Sequence, residues 1–304
     1  MNYLIAGGTG FIGKALVQHL AKNSKNTIYL LVRDLEKYQF SQENIKLVLW
    51  DSIYNDFSLK LKQIDVVVNL IGENLATGRW SNQRKKELYN SRIDGTKYLL
   101  KQIKAQKITV NHYIGASAVG VYGNRGAELL DESASVGDDY LASLCMSWES
   151  ESQKWKSYCK QYTVLRLGMV LGRDGGAIKR MQPIFARGFG GRLGSGQQYV
   201  GWIHIKDLLK LIELSATTNQ YNGIINAVSP FQVNNQDFSD CLSKTLRKSS
   251  LFDVPGFVLK MAIGEFSSVI LGGARVESKK LKESKFHYRF PTIELALKDV
   301  VSRA

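Results

Sequence analysis

The stretch Gly7-Gly8-Thr9-Gly10-Phe11-Ile12-Gly13 constrains this chain more than any other. An apolar run, Tyr3-Leu4-Ile5-Ala6, precedes it and reads as a short buried strand. Lys14-Ala15-Leu16-Val17-Gln18-His19-Leu20 follows and reads as a helix with one apolar face. Strand, glycine turn and helix together form the arrangement that holds a pyrophosphate. In that arrangement Gly7 permits the tight turn and Gly10 lets the backbone approach the phosphates. Gly13 lets the helix pack on the strand, and the free N–H groups of the first helical turn face the anion. Glycine turns are common, and it is the flanking strand and helix that give this one its meaning.

The next segments alternate in the same way. Thr27-Ile28-Tyr29-Leu30-Leu31-Val32, the run 46–51 and the run 64–72 read as short apolar strands separated by helix-length segments. This pattern predicts an α/β, Rossmann-type doubly wound parallel sheet. Ligands of such sheets lie beyond the carboxyl ends of the strands, which places Gly72-Glu73-Asn74 near a dinucleotide. The second strand ends beside the adenosine ribose. Arg33 follows it and can pair with a 2′-phosphate, so NADP(H) is the expected cofactor; Asp34 argues for NAD, and a plain solvated role for Arg33 stays open. Asp51, ending the third strand, could reach the adenine edge. Ser81 reads as the N-cap of a polar helix to Ile103, interrupted by Gly95, which suggests close approach to the sheet. The fifth strand, 112–117, ends in Ser117, either a hydrogen-bonding partner for a carbonyl or hydroxyl beside the nicotinamide or a turn-capping serine.

Composition narrows the setting. No apolar run approaches the ~20 residues of a membrane span, and no signal peptide is expected ahead of the first strand. Cys145, Cys159 and Cys241 form neither a metal spacing nor a disulfide framework, so a reducing cytoplasm is expected and no metal is. The net charge of +14 could suit nucleic acid, but the cations are scattered beyond short clusters such as Arg84-Lys85-Lys86 and Lys279-Lys280. No recognition motif accompanies them, and a solvated basic surface is expected rather than a specific nucleic-acid site. A monomer or homodimer fits equally well.

The sequence resembles the extended short-chain dehydrogenase/reductase superfamily, and more narrowly its epimerase-family branch, similar to nucleoside-diphosphate-sugar epimerases and cell-division inhibitors. The likeness spans nearly the whole chain. It rests on the glycine turn, Asn69-Leu70-Ile71-Gly72-Glu73-Asn74, Gly78-Arg79-Trp80, Ser91-Arg92-Ile93 with Gly95-Thr96, and Ala116-Ser117-Ala118-Val119-Gly120. Further on, Leu144-Cys145 with Trp148-Glu149, Leu165-Arg166, the run 194–198, the run 202–208 and the basic-aromatic ending 286–291 also fit. The resemblance implies a cofactor site of Gly7, Thr9, Gly10, Phe11, Ile12, Gly13, Arg33, Asp51, Leu70, Gly72, Glu73 and Arg92. It also implies a Rossmann core over 1–172, completed by about 199–228, and a smaller, mostly helical substrate domain from 173–198 and 229–304.

The superfamily's catalytic unit is a serine with a Tyr-x-x-x-Lys pair, in which the lysine lowers the tyrosine pKa. This chain contains no Tyr-x-x-x-Lys. Tyr140 is followed four positions later by Leu144. Aligned on Glu149 instead, Leu141 and Cys145 fill the two slots. A tyrosine near its ordinary pKa of about 10 is a poor base at neutral pH. Three readings remain: Ser117 with Tyr140 as a weak acid; replacement by Glu73, Arg79, Tyr122 or Cys145; or cofactor binding without standard turnover. Cys145 also reads as a small core residue and His204 as a structural histidine. The loop 172–176 is expected near the nicotinamide, and the glycine-rich, basic stretch 177–201 reads either as a cradle for an anionic substrate or as a connector. Helices are expected over 234–247, 256–270 and 292–302. The substrate is a small molecule of undetermined identity.

Overall fold

The computed structural model describes residues 1–50, 57–249 and 252–301. Asp51 lies outside them. Thirteen strands are numbered in chain order among the described residues: β1 (Asn2–Ala6), β2 (Thr27–Val32), β3 (Ile45–Leu49), β4 (Gln63–Asn69), β5 (Thr109–Ala118), β6 (Gly126–Leu130), β7 (Cys159–Leu167), β8 (Met169–Leu171), β9 (Tyr199–Val200), β10 (Trp202–His204), β11 (Gly223–Ala227), β12 (Val233–Asn234) and β13 (Ala274–Val276). The helices are α1 (Phe11–Ala21), α2 (Asn82–Ala105), α3 (Tyr140–Gln153), α4 (Gly176–Ala186), α5 (Ile205–Thr217), α6 (Asn235–Thr245), α7 (Gly256–Ile263), α8 (Ser267–Leu271), α9 (Lys279–Glu283) and α10 (Ile293–Val300).

Seven strands form one parallel sheet in the order β11-β7-β5-β4-β1-β2-β3. This is the doubly wound Rossmann-type sheet that the alternation predicts. The period of two along each strand decides which residues meet which layer. Ile5, Val68 and Leu165 face α1 and α5, packing with Leu16, Leu20 and Leu208. Leu4, Val67 and Val164 face the other way, with Leu99 and Ile103 of α2 and the buried Trp155. Ser81 caps α2, its side chain accepting from the Arg84 N–H. A Cβ at Gly95 would lie 3.0 Å from Ile71, so the close approach at this glycine is to the loop just past β4 rather than to a strand.

Three smaller pairs decorate this sheet: β10 with β8, β12 with β9, and β13 with β6. In two places the helices differ from expectation. Residues 176–186 are a helix, α4, rather than part of a glycine-rich loop, because Ile178 and Phe185 give the segment a buried face. Pro183 within it has no N–H to donate to the Lys179 carbonyl one turn back. The expected helix 256–270 is broken at Gly264, whose φ of +64° and ψ of −140° cannot continue a helix.

The motif 202–208 docks the C-terminal chain. Fully buried His204 caps α5, its Nδ1 accepting from the Lys206 N–H at 3.1 Å, and its ring stacks on Phe290 at 3.8 Å. Burial pushes its pKa down to about 4. Asp207 accepts from the N–H groups of Arg289 and Phe290 at 2.8 and 3.0 Å, and Lys206 pairs with Asp299 at 2.9 Å. His204 is thus a structural histidine, as its sequence context suggests. Among the described residues no helix is long and apolar enough to cross a membrane.

Candidate cofactor cleft and its missing acid–base pair

At the carboxyl end of β1, Gly7 adopts φ +80°. A Cβ there would lie 2.5 Å from the Leu70 carbonyl oxygen, so only glycine lets the turn pass beneath β4's end. At Gly13 a Cβ would lie 2.3 Å from the Gly7 oxygen and 2.5 Å from the Gly8 Cα, which sets how closely α1 approaches the strand. Gly10 is different. Its φ of −76° suits any residue, and a Cβ would meet only the Gly7 oxygen, at an ordinary 3.4 Å. No steric contact among the described residues requires glycine at position 10. The space before it adjoins the first-turn N–H groups of Phe11, Ile12 and Gly13, which α1 cannot satisfy itself. No acidic residue stands in that turn to compete for an anion.

The loop after β8 lies against this turn. A Cβ at Gly172, Gly175 or Gly176 would come within 2.7, 2.5 or 3.1 Å of the Phe11 ring. Its glycines therefore make a slot for Phe11 at the start of α1. At the end of β2, Asp34 accepts from the Glu36 N–H at 3.0 Å and closes its own turn. Arg33 is exposed and pairs with no described carboxylate. After β4, Gly72 packs on the Arg92 guanidinium, 3.2 Å from a would-be Cβ. Arg92 is buried, donates to the Leu88 carbonyl at 3.1 Å and the Glu73 carbonyl at 2.9 Å, and lies 5.2 Å over the Trp148 ring. Burial lowers its pKa from the usual arginine value. It holds the Gly72–Glu73 backbone in place, while the Glu73 carboxylate faces solvent 3.8 Å from Arg84.

The residues proposed for chemistry part company. Ser117 is 1% exposed, and its hydroxyl donates to Glu149 at 2.7 Å. Arg166, beside Ser117 in register on β7, grips the same carboxylate through Nε at 2.8 Å and Nη2 at 2.9 Å. Burial opposes the Arg166 charge, but hydrogen bonding and charge from Glu149 hold its pKa above the usual value. Its Nη1 donates to the Tyr122 hydroxyl at 2.8 Å, and Tyr122 faces Asn226 Oδ1 at 2.8 Å. Sequence reasoning used Glu149 only as an alignment marker. The available signal was Arg166 inside an apolar strand, which needs a buried acid.

Tyr140 turns elsewhere. Its hydroxyl donates to the Lys85 carbonyl at 2.9 Å, and its ring meets Trp80 edge-on at 5.2 Å. Burial raises its pKa, and the nearby Arg92 offsets this only in part. Leu141 and Cys145, on the same helix as Glu149, also pack near the end of β5 and the turn after it. A Cβ at Gly120 would lie 2.5 Å from Leu141, and the buried Cys145 thiol interacts with Ser117 and the Ala118 backbone. Burial, then the Glu149 charge, push that thiol up to about 12. It remains protonated at neutral pH, as a small core residue does.

Residues 3–227 match the NAD dependent epimerase/dehydratase family. The chain belongs to that family. Residues 254–300 of this epimerase-family chain match a domain of unknown function, DUF1731. It is 34% identical to the epimerase family protein SDR39U1 homolog, chloroplastic, of Arabidopsis thaliana, over 99% of this chain and 87% of that one. It is 33% identical to the epimerase family protein SDR39U1 of Mus musculus, over 99% of this chain and all of that one. The crystal structure of human epimerase family protein SDR39U1 (isoform2) with NADPH superposes with a TM-score of 0.86 at 29% identity, covering 99% of both chains.

Proposed function

We propose that this epimerase-family chain binds NADP(H) across the carboxyl ends of β1, β2, β4 and β5. The reading is carried by the glycine at position 10, which no steric contact among the described residues requires and which leaves a cradle open before the α1 N-terminus. The human neighbour solved with NADPH supports it. Gly7, Thr9, Gly10, Phe11, Ile12 and Gly13 would hold the pyrophosphate, Arg33 the 2′-phosphate, and Leu70, Gly72 and Glu73 the inner face, with Arg92 bracing that backbone. When bound, the cofactor supplies a hydride donor or acceptor. The associated activity is an oxidoreductase or epimerase reaction on a hydroxyl or carbonyl group, nucleotide sugars included. Segments 173–198 and 229–304 form its substrate side. Three free thiols fit a reducing compartment such as the cytoplasm.

One observation favours a second reading, a cofactor-binding sensor that has lost turnover. Leu141 and Cys145 face the site where a tyrosine and lysine would move a proton, Tyr140 donates to a backbone carbonyl, and the Ser117 hydrogen is committed to Glu149. Thermal shift with NADPH and NADH tests cofactor binding. NADPH should raise the midpoint more, and R33A should lose about tenfold in NADPH affinity, the value of one charge-assisted phosphate contact. Equal shifts for the two cofactors, unchanged by R33A, would refute the 2′-phosphate role. Oxidation of NADPH by a carbonyl panel would then support the enzyme; tight binding with no turnover would support the sensor.

A further inference from the structure

The helix α7 reads Gly-Phe-Val-Leu-Lys-Met-Ala-Ile, yet none of its residues is buried. A helix this apolar ordinarily hides a face. Phe257 and Met261, one turn apart, are each 65% exposed. In the segments before α7 and after α4, Phe252 and Phe189 are also exposed, with ring centroids 5.6 Å apart, and Ile184 of α4 is half exposed. The two segments are stitched by backbone bonds between Gly194 and Val254 and between Val254 and Arg192, each 2.9 Å. Isolated exposed apolar residues are unremarkable, but five large ones on two joined segments mark a binding surface.

The patch borders the cleft. Both segments are tied to the loop between β4 and α2, which contains Gly72 and Glu73. Arg180 of α4 donates to the Ala76 carbonyl at 2.6 Å, and Arg79 donates to the Met261 carbonyl of α7. Just past α7, Phe266 lies 5.5 Å from Trp80, which itself meets Tyr140. The rim is cationic. Residues 176–194 carry exposed Lys179, Arg180, Arg187 and Arg192 and no carboxylate. Asp253, the acid in the facing segment, is paired with Arg192 at 2.7 Å.

We propose that the substrate side of this cleft takes an anionic amphiphile, a small molecule with an apolar chain or ring body and an acidic end. The body lies on Phe189, Phe252, Phe257 and Met261, and the acid is met by Lys179 and Arg187. This rests on the cofactor-cleft reading and names the ligand class for it. A second copy of the chain suits the patch less well, since both copies would carry a charge of +14.

Titration of the full chain, with and without NADPH, using decyl phosphate below its micellar concentration, tests this, with decanol and inorganic phosphate as controls. Decyl phosphate should bind saturably and about tenfold or more tighter than either control. F257S/M261S should weaken it about tenfold or more, since two exposed apolar contacts are lost, and R187Q should weaken decyl phosphate but not decanol. The NADPH dissociation constant should stay unchanged in F257S/M261S. Failure of NADPH to bind the wild-type chain would sink the cofactor reading separately, because amphiphile binding is also measured without it. Absence of saturable binding, or binding indifferent to F257S/M261S, overturns the proposal. So would binding to phosphatidylglycerol vesicles without binding to the monomeric amphiphile, or a concentration-dependent dimer that F257S/M261S abolishes.

Discussion

Two alanines in one turn separate glycine kept for the fold from glycine kept for a ligand. In G13A the new Cβ would sit 2.3 Å from one backbone atom and 2.5 Å from another, and neither can rotate away. The start of α1 must move off the turn, an overpacking cost of about 1–3 kcal/mol. For a chain of this size that lowers the ligand-free midpoint by roughly 2–6 °C. In G10A the Cβ meets one atom at 3.4 Å. Alanine is a poorer N-cap than glycine by up to about 1 kcal/mol, and the loss of unfolded-state freedom returns about 0.4–1 kcal/mol. The ligand-free midpoint should therefore barely change. The ligand response should change sharply. Wild-type chain at a hundred times its NADPH dissociation constant gains about 2.7 kcal/mol; a hundredfold loss of affinity in G10A would leave about 0.4 kcal/mol. Differential scanning fluorimetry with and without NADPH reads both quantities. G10A responding to NADPH like the wild type, or losing as much ligand-free stability as G13A, would refute the argument that the space at Gly10 is reserved for a ligand.

Three further outcomes follow from the same structure. E149Q removes the acid that holds Arg166 and Ser117 and leaves a buried guanidinium without its charge partner, so urea denaturation should show a loss of about 3–5 kcal/mol, partly recovered in E149Q/R166M. Burial pushes both His112 and His204 down to about 4, below the unfolded value near 6.5, so the native chain resists their protonation. The stability each contributes is complete above pH 6.5 and is lost as pH falls toward 4, on the order of 3 kcal/mol per histidine; H112Q should flatten part of that slope in midpoints measured from pH 7.5 to 4. Cys145, with its thiol pushed up to about 12, should resist iodoacetamide at pH 8 until the chain is denatured, and rapid labelling of the native protein would contradict its place in the core.

Much of the fold was legible because its signals are local. Short apolar strands alternating with helices are enough to specify a doubly wound sheet, and Gly7 and Gly13 follow from the steric demands of one turn. Ser81 capping α2 and His204 capping α5 are likewise decided within a few residues. α4 was hidden because Gly188, Gly190, Gly191 and Gly194 crowd its C-terminal side, and the two buried residues that stabilise it declare themselves only against the C-terminal helices. Gly8 was also missed as a contact: a Cβ there would lie 2.1 Å from Leu30, a side chain on the next strand.

The missing lysine was determined by sequence alone, since no arrangement in space restores a residue the chain does not contain. The glycine turn was too, because strand, turn and helix are contiguous and their sterics are local. Where the proton-bearing groups point was decided only by tertiary structure. Ser117, Glu149 and Arg166 come from β5, α3 and β7, up to 49 residues apart by number, and burial makes each hydrogen bond among them compulsory. The same burial turns Ser117 toward Glu149 and keeps the Cys145 thiol protonated, and packing against Trp80 carries the Tyr140 hydroxyl to the Lys85 carbonyl. Phe189, Phe252 and Phe257 carry no local mark in sequence that sets them apart from buried phenylalanines. Only the way α7 and the end of α4 are held at the lip of the cleft leaves them facing solvent.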